Sequence, residues 1–118
     1  MDSTIHDLSD ATFDQAVAEG ITVVDFWAAW CGPCRAMTPQ FERAAELRPN
    51  HRFAKVDVDA EPVLASRYGI RSIPTLMVLR DGEPVAAQAG VICADQLVEA
   101  LDRIAATSTE TAAMPEAA

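Results

Sequence analysis

Val24-Asp25-Phe26-Trp27-Ala28-Ala29-Trp30-Cys31-Gly32-Pro33-Cys34 passes from one kind of periodicity to another within a few residues. Its first part closes Thr22-Val23-Val24-Asp25-Phe26-Trp27, a β-branched and aromatic run that reads as a strand buried on both faces. One carboxylate, Asp25, interrupts that strand. Behind it, Cys34 to Leu47 places Met37, Phe41, Ala44, Ala45 and Leu47 at helical intervals, predicting a helix with a kink at Pro39. The two cysteines therefore stand where a buried strand turns into a helix.

That placement carries chemistry. The thiolate, not the thiol, attacks a disulfide, and the unpaired N–H groups and dipole at a helix start favour an anion. Cys31 is the expected nucleophile, with Arg35 close enough to add positive charge. Cys34, about one helical turn on, can close a small ring with Cys31 and is the expected resolving thiol. Pro33 suits a first-turn position because its missing N–H would have no partner there, and Gly32 leaves the backbone open to an approaching chain. The other use of a C-x-x-C, half a structural zinc site, needs four ligands. Only Cys93, His6 and His51 remain, none paired at ligand spacing, so no metal is expected.

Outward from this centre, strands and helices alternate. Toward the amino terminus, Phe13, Ala16 and Val17 recur at helical spacing between Asp10 and Glu19, and Gly20 closes that helix. Toward the carboxyl terminus, Arg52 to Asp59 alternates as a strand, and Val63, Leu64 and Tyr68 mark a short helix ending at Gly69. Thr75 to Arg80 is a strand, Asp81-Gly82 a hairpin signal, and Pro84 to Ala89 its antiparallel partner at an edge. Leu97, Leu101 and Ile104 turn inward on a last helix from Ala94 to Ala105. This is an α/β pattern with a mixed sheet covered by helices on both faces. A domain over residues 1–106 is expected, followed by a flexible tail at 107–118 without apolar periodicity.

Composition narrows the function. The chain has 118 residues, half of them hydrophobic, and a net charge of -9, which disfavours nucleic acid and anionic lipid as partners. No apolar run reaches the length of a membrane helix, and Met1-Asp2-Ser3-Thr4 lacks the basic region of a secretion signal, so a cytoplasmic location is expected. Three cysteines are too few for a disulfide-stapled secreted domain. Lys55 is the single lysine among nine basic residues.

The Val24 to Cys34 stretch, with Gly69-Ile70-Arg71-Ser72-Ile73-Pro74-Thr75, resembles the thioredoxin family over about residues 5–105. The resemblance implies the thioredoxin fold, a central mixed five-stranded sheet flanked by about four helices. It implies a protein-disulfide reductase in which Cys31 attacks, a mixed disulfide forms, and Cys34 releases it. It further implies recycling by thioredoxin reductase, disulfide-containing proteins as substrates, no bound cofactor and a monomer. Gly32-Pro33 is the reductase-type pair; oxidants and isomerases of the superfamily usually carry histidine there. An interaction module using the same groove whatever its redox state is the alternative of another class.

Asp25 matches the family's buried acid, whose proton affinity burial should raise, and which assists Cys34; a structural carboxylate bonded to backbone is the plainer reading. Lys55 matches the lysine beside that acid, against a side chain that snorkels to the surface. Ile73-Pro74 matches a cis-proline loop facing the cysteines, although only about 5–6% of X–Pro bonds are cis. Such a loop turns the Ile73 backbone toward substrate, and with Trp30, Gly32, Pro33, Gly90 and Val91 it forms a shallow apolar groove. Cys93 stands where related thioredoxins often have serine at a helix entrance. It reads as a half-buried space-filler or, alternatively, as a third accessible thiol outside the catalytic cycle. His6 and His51 are expected at the surface, Met37 and Met77 in the core.

Overall fold

The structure, a computed structural model, describes residues 5–113, with side chains to 106. Its order is β1 (His6–Asp7), α1 (Phe13–Ala16), β2 (Ile21–Trp27), α2 (Gly32–Leu47), β3 (Arg52–Asp57), α3 (Pro62–Arg67), β4 (Thr75–Arg80), β5 (Glu83–Ala89) and α4 (Ala94–Ala113). The strands form one sheet in the order β1-β3-β2-β4-β5. β1, β3 and β2 run parallel, while β4 is antiparallel to β2 and β5 to β4. This is the five-stranded mixed sheet with four helices that the family resemblance implies.

The alternation of side chains along each strand divides the interior into two layers. Val24, Phe26, Ala54, Val56, Met77 and Leu79 leave one face and pack with Phe13, Val17 and Leu64. Val23, Phe53, Leu76 and Val78 leave the other and meet Met37, Phe41 and Ala44 of α2 and Leu97 and Leu101 of α4. By the same alternation Asp25 and Lys55 belong to the α2 face. β2, buried along nearly its whole length, is the strand the sequence pattern describes.

Several boundaries differ from the periodicity. The first helix shrinks from Asp10–Glu19 to Phe13–Ala16, because Ser9 and Thr12 close a polar turn at its start (Ser9 N–H to Thr12 Oγ1, 3.0 Å) and Val17 already leaves helical geometry. β3 stops at Asp57 instead of Asp59, because the Asp57 carboxylate accepts the N–H groups of Asp59 (2.9 Å) and Ala60 (3.3 Å) and bends the chain. α2 begins at Gly32, ahead of Cys34, and runs through Pro39. α4 continues past Ala105 to Ala113, over part of the expected tail. The rest of that tail, residues 114–118, lies outside the described residues.

β4 and β5 are joined at Asp81 (φ 51°) and Gly82 (φ 85°), both left-handed, as a two-residue hairpin turn demands. Open space surrounds the position of a Gly82 Cβ, so the only penalty for a side chain there is conformational. Gly82→Ala is expected to lower stability by about 1–2 kcal/mol, read as a shifted urea midpoint; an unmoved midpoint contradicts it. Beyond the turn the β4–β5 register slips between Val78 and Leu79, where Leu79 faces Pro84 and Val78 faces Ala86. Val85 is the extra residue of this bulge.

Candidate active site

The chain leaves β2 at Trp27 and tightens at once, with the Cys31 N–H donating to the Ala28 carbonyl (3.2 Å). Cys31 is extended (φ -89°, ψ 112°) and caps α2, its sulfur accepting the Cys34 N–H at 3.1 Å. A sulfur atom thus occupies the place where a serine or aspartate oxygen usually caps a helix. Pro33 fits the first turn without wasting a donor. Cys31 and Cys34 are joined in a disulfide, with Cα atoms 5.3 Å apart. Cys31 is 4% exposed and Cys34 2%, so both are shielded, by Ala28 and the flanking Trp27, Val58 and Ile73. Arg35 directs its Nη1 to the Ala29 carbonyl (2.8 Å), fixing the turn.

A second loop faces the sulfurs. The Ile73–Pro74 bond is cis, and the Ile73 carbonyl oxygen lies 3.8 Å from Cys31 Sγ. Thr75 Oγ1 donates to the Ser72 carbonyl (2.6 Å), and the Gly90 N–H donates to the Pro74 carbonyl (2.8 Å). These bonds tie the end of β5 to the loop. Trp30 is 66% exposed and Val91 47%; Gly32 and Pro33 are also exposed, Ile73 and Gly90 partly so, and Pro74 is buried. Trp30 is held by its Nε1–H, which donates to Asp59 Oδ2 (2.8 Å). Trp30 and Ile73 line a small apolar cleft of about 190 Å³ with Val58, Ile70 and Arg71.

Asp25 is completely buried, and neither of its carboxylate oxygens has a hydrogen-bond partner among the described residues. The reading of a carboxylate bonded to backbone therefore fails. Burial raises its pKa to about 6, against the opposing pull of Lys55, its neighbour in register on β3. Lys55 is half-buried, its Nζ seated 4.5 Å above the centre of the Trp27 ring. That cation–π contact gives the side chain a fixed seat.

The family model for thioredoxin matches residues 4–103. The chain belongs to the thioredoxin family. It is 47% identical over 93 residues to the putative thioredoxin 2 of Streptomyces coelicolor, covering 78% of this chain and 69% of that one. It is 43% identical over 97 residues to the thioredoxin of Staphylococcus aureus, covering 81% of this chain and 93% of the relative. Its chemistry is the dithiol–disulfide exchange of thioredoxins, with Cys31 and Cys34 as the redox pair.

Other sequence readings need correction within this thioredoxin frame. Cys93, read most plainly as a space-filler, is an exposed free thiol. It opens α4 through its carbonyl, which accepts the Leu97 N–H (3.0 Å), while Gln40 Oε1 from α2 accepts the Ala94 N–H (2.7 Å) and does the capping that sulfur does poorly. Thiol titration of the oxidised native chain is expected to count one accessible thiol; a count of zero contradicts this geometry. His51 is half-buried at the surface near Arg48 and Asp102, and burial lowers its pKa; His6 is exposed. Met37 and Met77 are buried as expected. No group of three metal-ligating side chains occurs among the described residues. The groove partners missed by sequence reading are Asp59, Val58, Ile70 and Arg71. Ile70-Arg71 lay inside the quoted motif without a role, whereas the bond from Asp59 to Trp30 leaves no local signal.

Proposed function

We propose that this chain is a cytoplasmic, monomeric protein-disulfide reductase in which Cys31 is the nucleophile and Cys34 the resolving thiol. The observation that carries the assignment is the Cys34 N–H on Cys31 Sγ at the first turn of a sixteen-residue helix. A sulfur so placed is favoured as an anion, and a thiolate is what attacks. Cys31 thiolate bonds to one sulfur of a substrate disulfide, and the other sulfur leaves as a thiolate. Cys34 then gives up its proton and attacks Cys31, closing the protein disulfide and releasing the second substrate thiolate. Two electrons have passed to the substrate, whose two sulfurs leave as thiolates and take their protons from solvent.

Asp25 is the acceptor for the Cys34 proton, and Lys55 tunes it. A carboxyl whose pKa is raised to about 6 is mostly ionised near neutrality yet binds a proton more readily than an ordinary aspartate. Trp30, Gly32, Pro33, Ile73, Pro74, Gly90 and Val91 receive an extended substrate segment, with the Ile73 backbone available for strand-like pairing. Thioredoxin reductase, drawing on NADPH, returns the pair to the dithiol, and no cofactor resides on this chain. The acidic charge of -9 favours protein substrates over nucleic acid. The family match over residues 4–103 supports a domain at 1–106 with residues 107–118 appended to it.

Insulin reduction in the presence of NADPH and a thioredoxin reductase tests the assignment. Catalytic NADPH consumption is expected; no turnover with a reduced, folded chain rejects it.

A further inference from the structure

Lys55 stands in the middle of a row of charged residues that crosses three strands. Asp7 on β1 and Asp25 on β2 are both its partners in register. Residues paired this way in neighbouring strands leave the same face of a sheet. The row runs from solvent to core, since Asp7 is exposed, Lys55 half-buried and Asp25 fully buried. Trp27, two residues beyond Asp25 on that face, seats the ammonium on its ring.

Two clefts, of about 360 and 310 Å³, share Asp7, Trp27 and Lys55 in their walls. The other charged groups facing them are Glu42 from α2, Asp57 from β3 and Glu61 ahead of α3. Two of these are engaged elsewhere. Asp57 accepts the N–H groups of Asp59 and Ala60, and Glu61 Oε1 accepts the Asp10 N–H (2.9 Å). Asp7 is the carboxylate that shares direct register with the lysine from the open side.

We infer that Asp7 is a positioning residue of the dithiol exchange, sharing the Lys55 ammonium with Asp25 and so setting the proton affinity of the buried carboxyl from the edge of the sheet. One cation shared between two anions neutralises neither fully. Asp25 therefore holds a proton more tightly. A neutral residue at position 7 leaves the ammonium wholly to Asp25 and favours its ionised form. The inference rests on the reading of Asp25 as the acceptor for the Cys34 proton.

The test is a carboxyl carbon NMR titration of Asp25 in the reduced full chain, alongside the pH profile of mixed-disulfide release. Asp7→Asn is expected to lower the Asp25 midpoint by about half a pH unit, a roughly threefold change in proton affinity, and to move the release profile with it. Asp7→Glu is expected to restore both. In a Lys55→Met background the Asp7→Asn shift should largely vanish. An unmoved midpoint, or the same shift with and without Lys55, overturns the inference. A midpoint that moves while the release profile stays fixed rejects the role of Asp25 and with it Asp7's place in the reaction, although the charge coupling itself survives.

Discussion

Cys31→Ser is expected to bring insulin reduction down to the rate of buffer alone. The hydroxyl of serine keeps its proton at neutral pH even at a helix start, so the sulfur that accepts the Cys34 N–H is replaced by a group that cannot attack a disulfide. Cys34→Ser is expected to fail differently. Its Cys31 still attacks, but nothing releases the product, so one substrate chain accumulates per protein as a mixed disulfide that reductant dissolves. Mass spectrometry of the two variants after exposure to an oxidised substrate separates them. An adduct on Cys34 in the Cys31→Ser variant, with none on Cys31 in the other, reverses the assignment of attacker and resolver.

Asp25→Asn is expected to move stability and reactivity in opposite directions. In the folded chain the carboxyl titrates near 6, against 3.8 for a free aspartate. Between those values the folded state keeps a proton that the unfolded state has lost. The contribution to stability is therefore fully present below the lower value and disappears as pH rises through the upper one. The loss amounts to roughly 3 kcal/mol in all. Asparagine carries no charge and removes this slope, so at pH 8 the variant should exceed the wild type by up to about that amount. The gain is reduced because the new amide inherits the missing hydrogen bonds. Urea unfolding at pH 5 and pH 8 reads the difference. Release of the mixed disulfide should slow on the order of a hundredfold, the usual worth of a positioned proton acceptor. A variant that is less stable at both pH values and releases substrate at the normal rate sinks the proton-acceptor reading.

What the residues disclosed on their own follows the range of the forces involved. β2 and β4 were legible because buried strands leave continuous apolar runs, and Thr75–Arg80 agrees residue for residue. The hairpin was legible because Asp81-Gly82 is a local conformational demand. α1 and the end of β3 were overdrawn, since polar turns at Ser9–Thr12 and at Asp57 compete with the periodic pattern over only a few atoms. β1, with two exposed residues, has no periodicity to read. Asp7 on that strand went unnoticed for the same reason. In the site, the cysteine pair and Asp25 declare themselves by sequence position. The anchoring of Trp30 by Asp59 and the capping of α4 by Gln40 join residues far apart in the chain, and only the folded arrangement brings them together.

The two ends of the sheet have a consequence for self-association. A strand edge with free N–H and C=O groups is a template on which another chain can polymerise. Here β1 offers only two residues, too short for stable addition, and β5 on the far side is exposed along its length but carries Pro84, which lacks a donor, and the Val85 bulge, which breaks the spacing of its hydrogen bonds. Both borders therefore resist growth into ribbons, while the Ile73 loop lies outside the ladder. The fold thus guards both borders of its sheet against becoming a nucleus for aggregation.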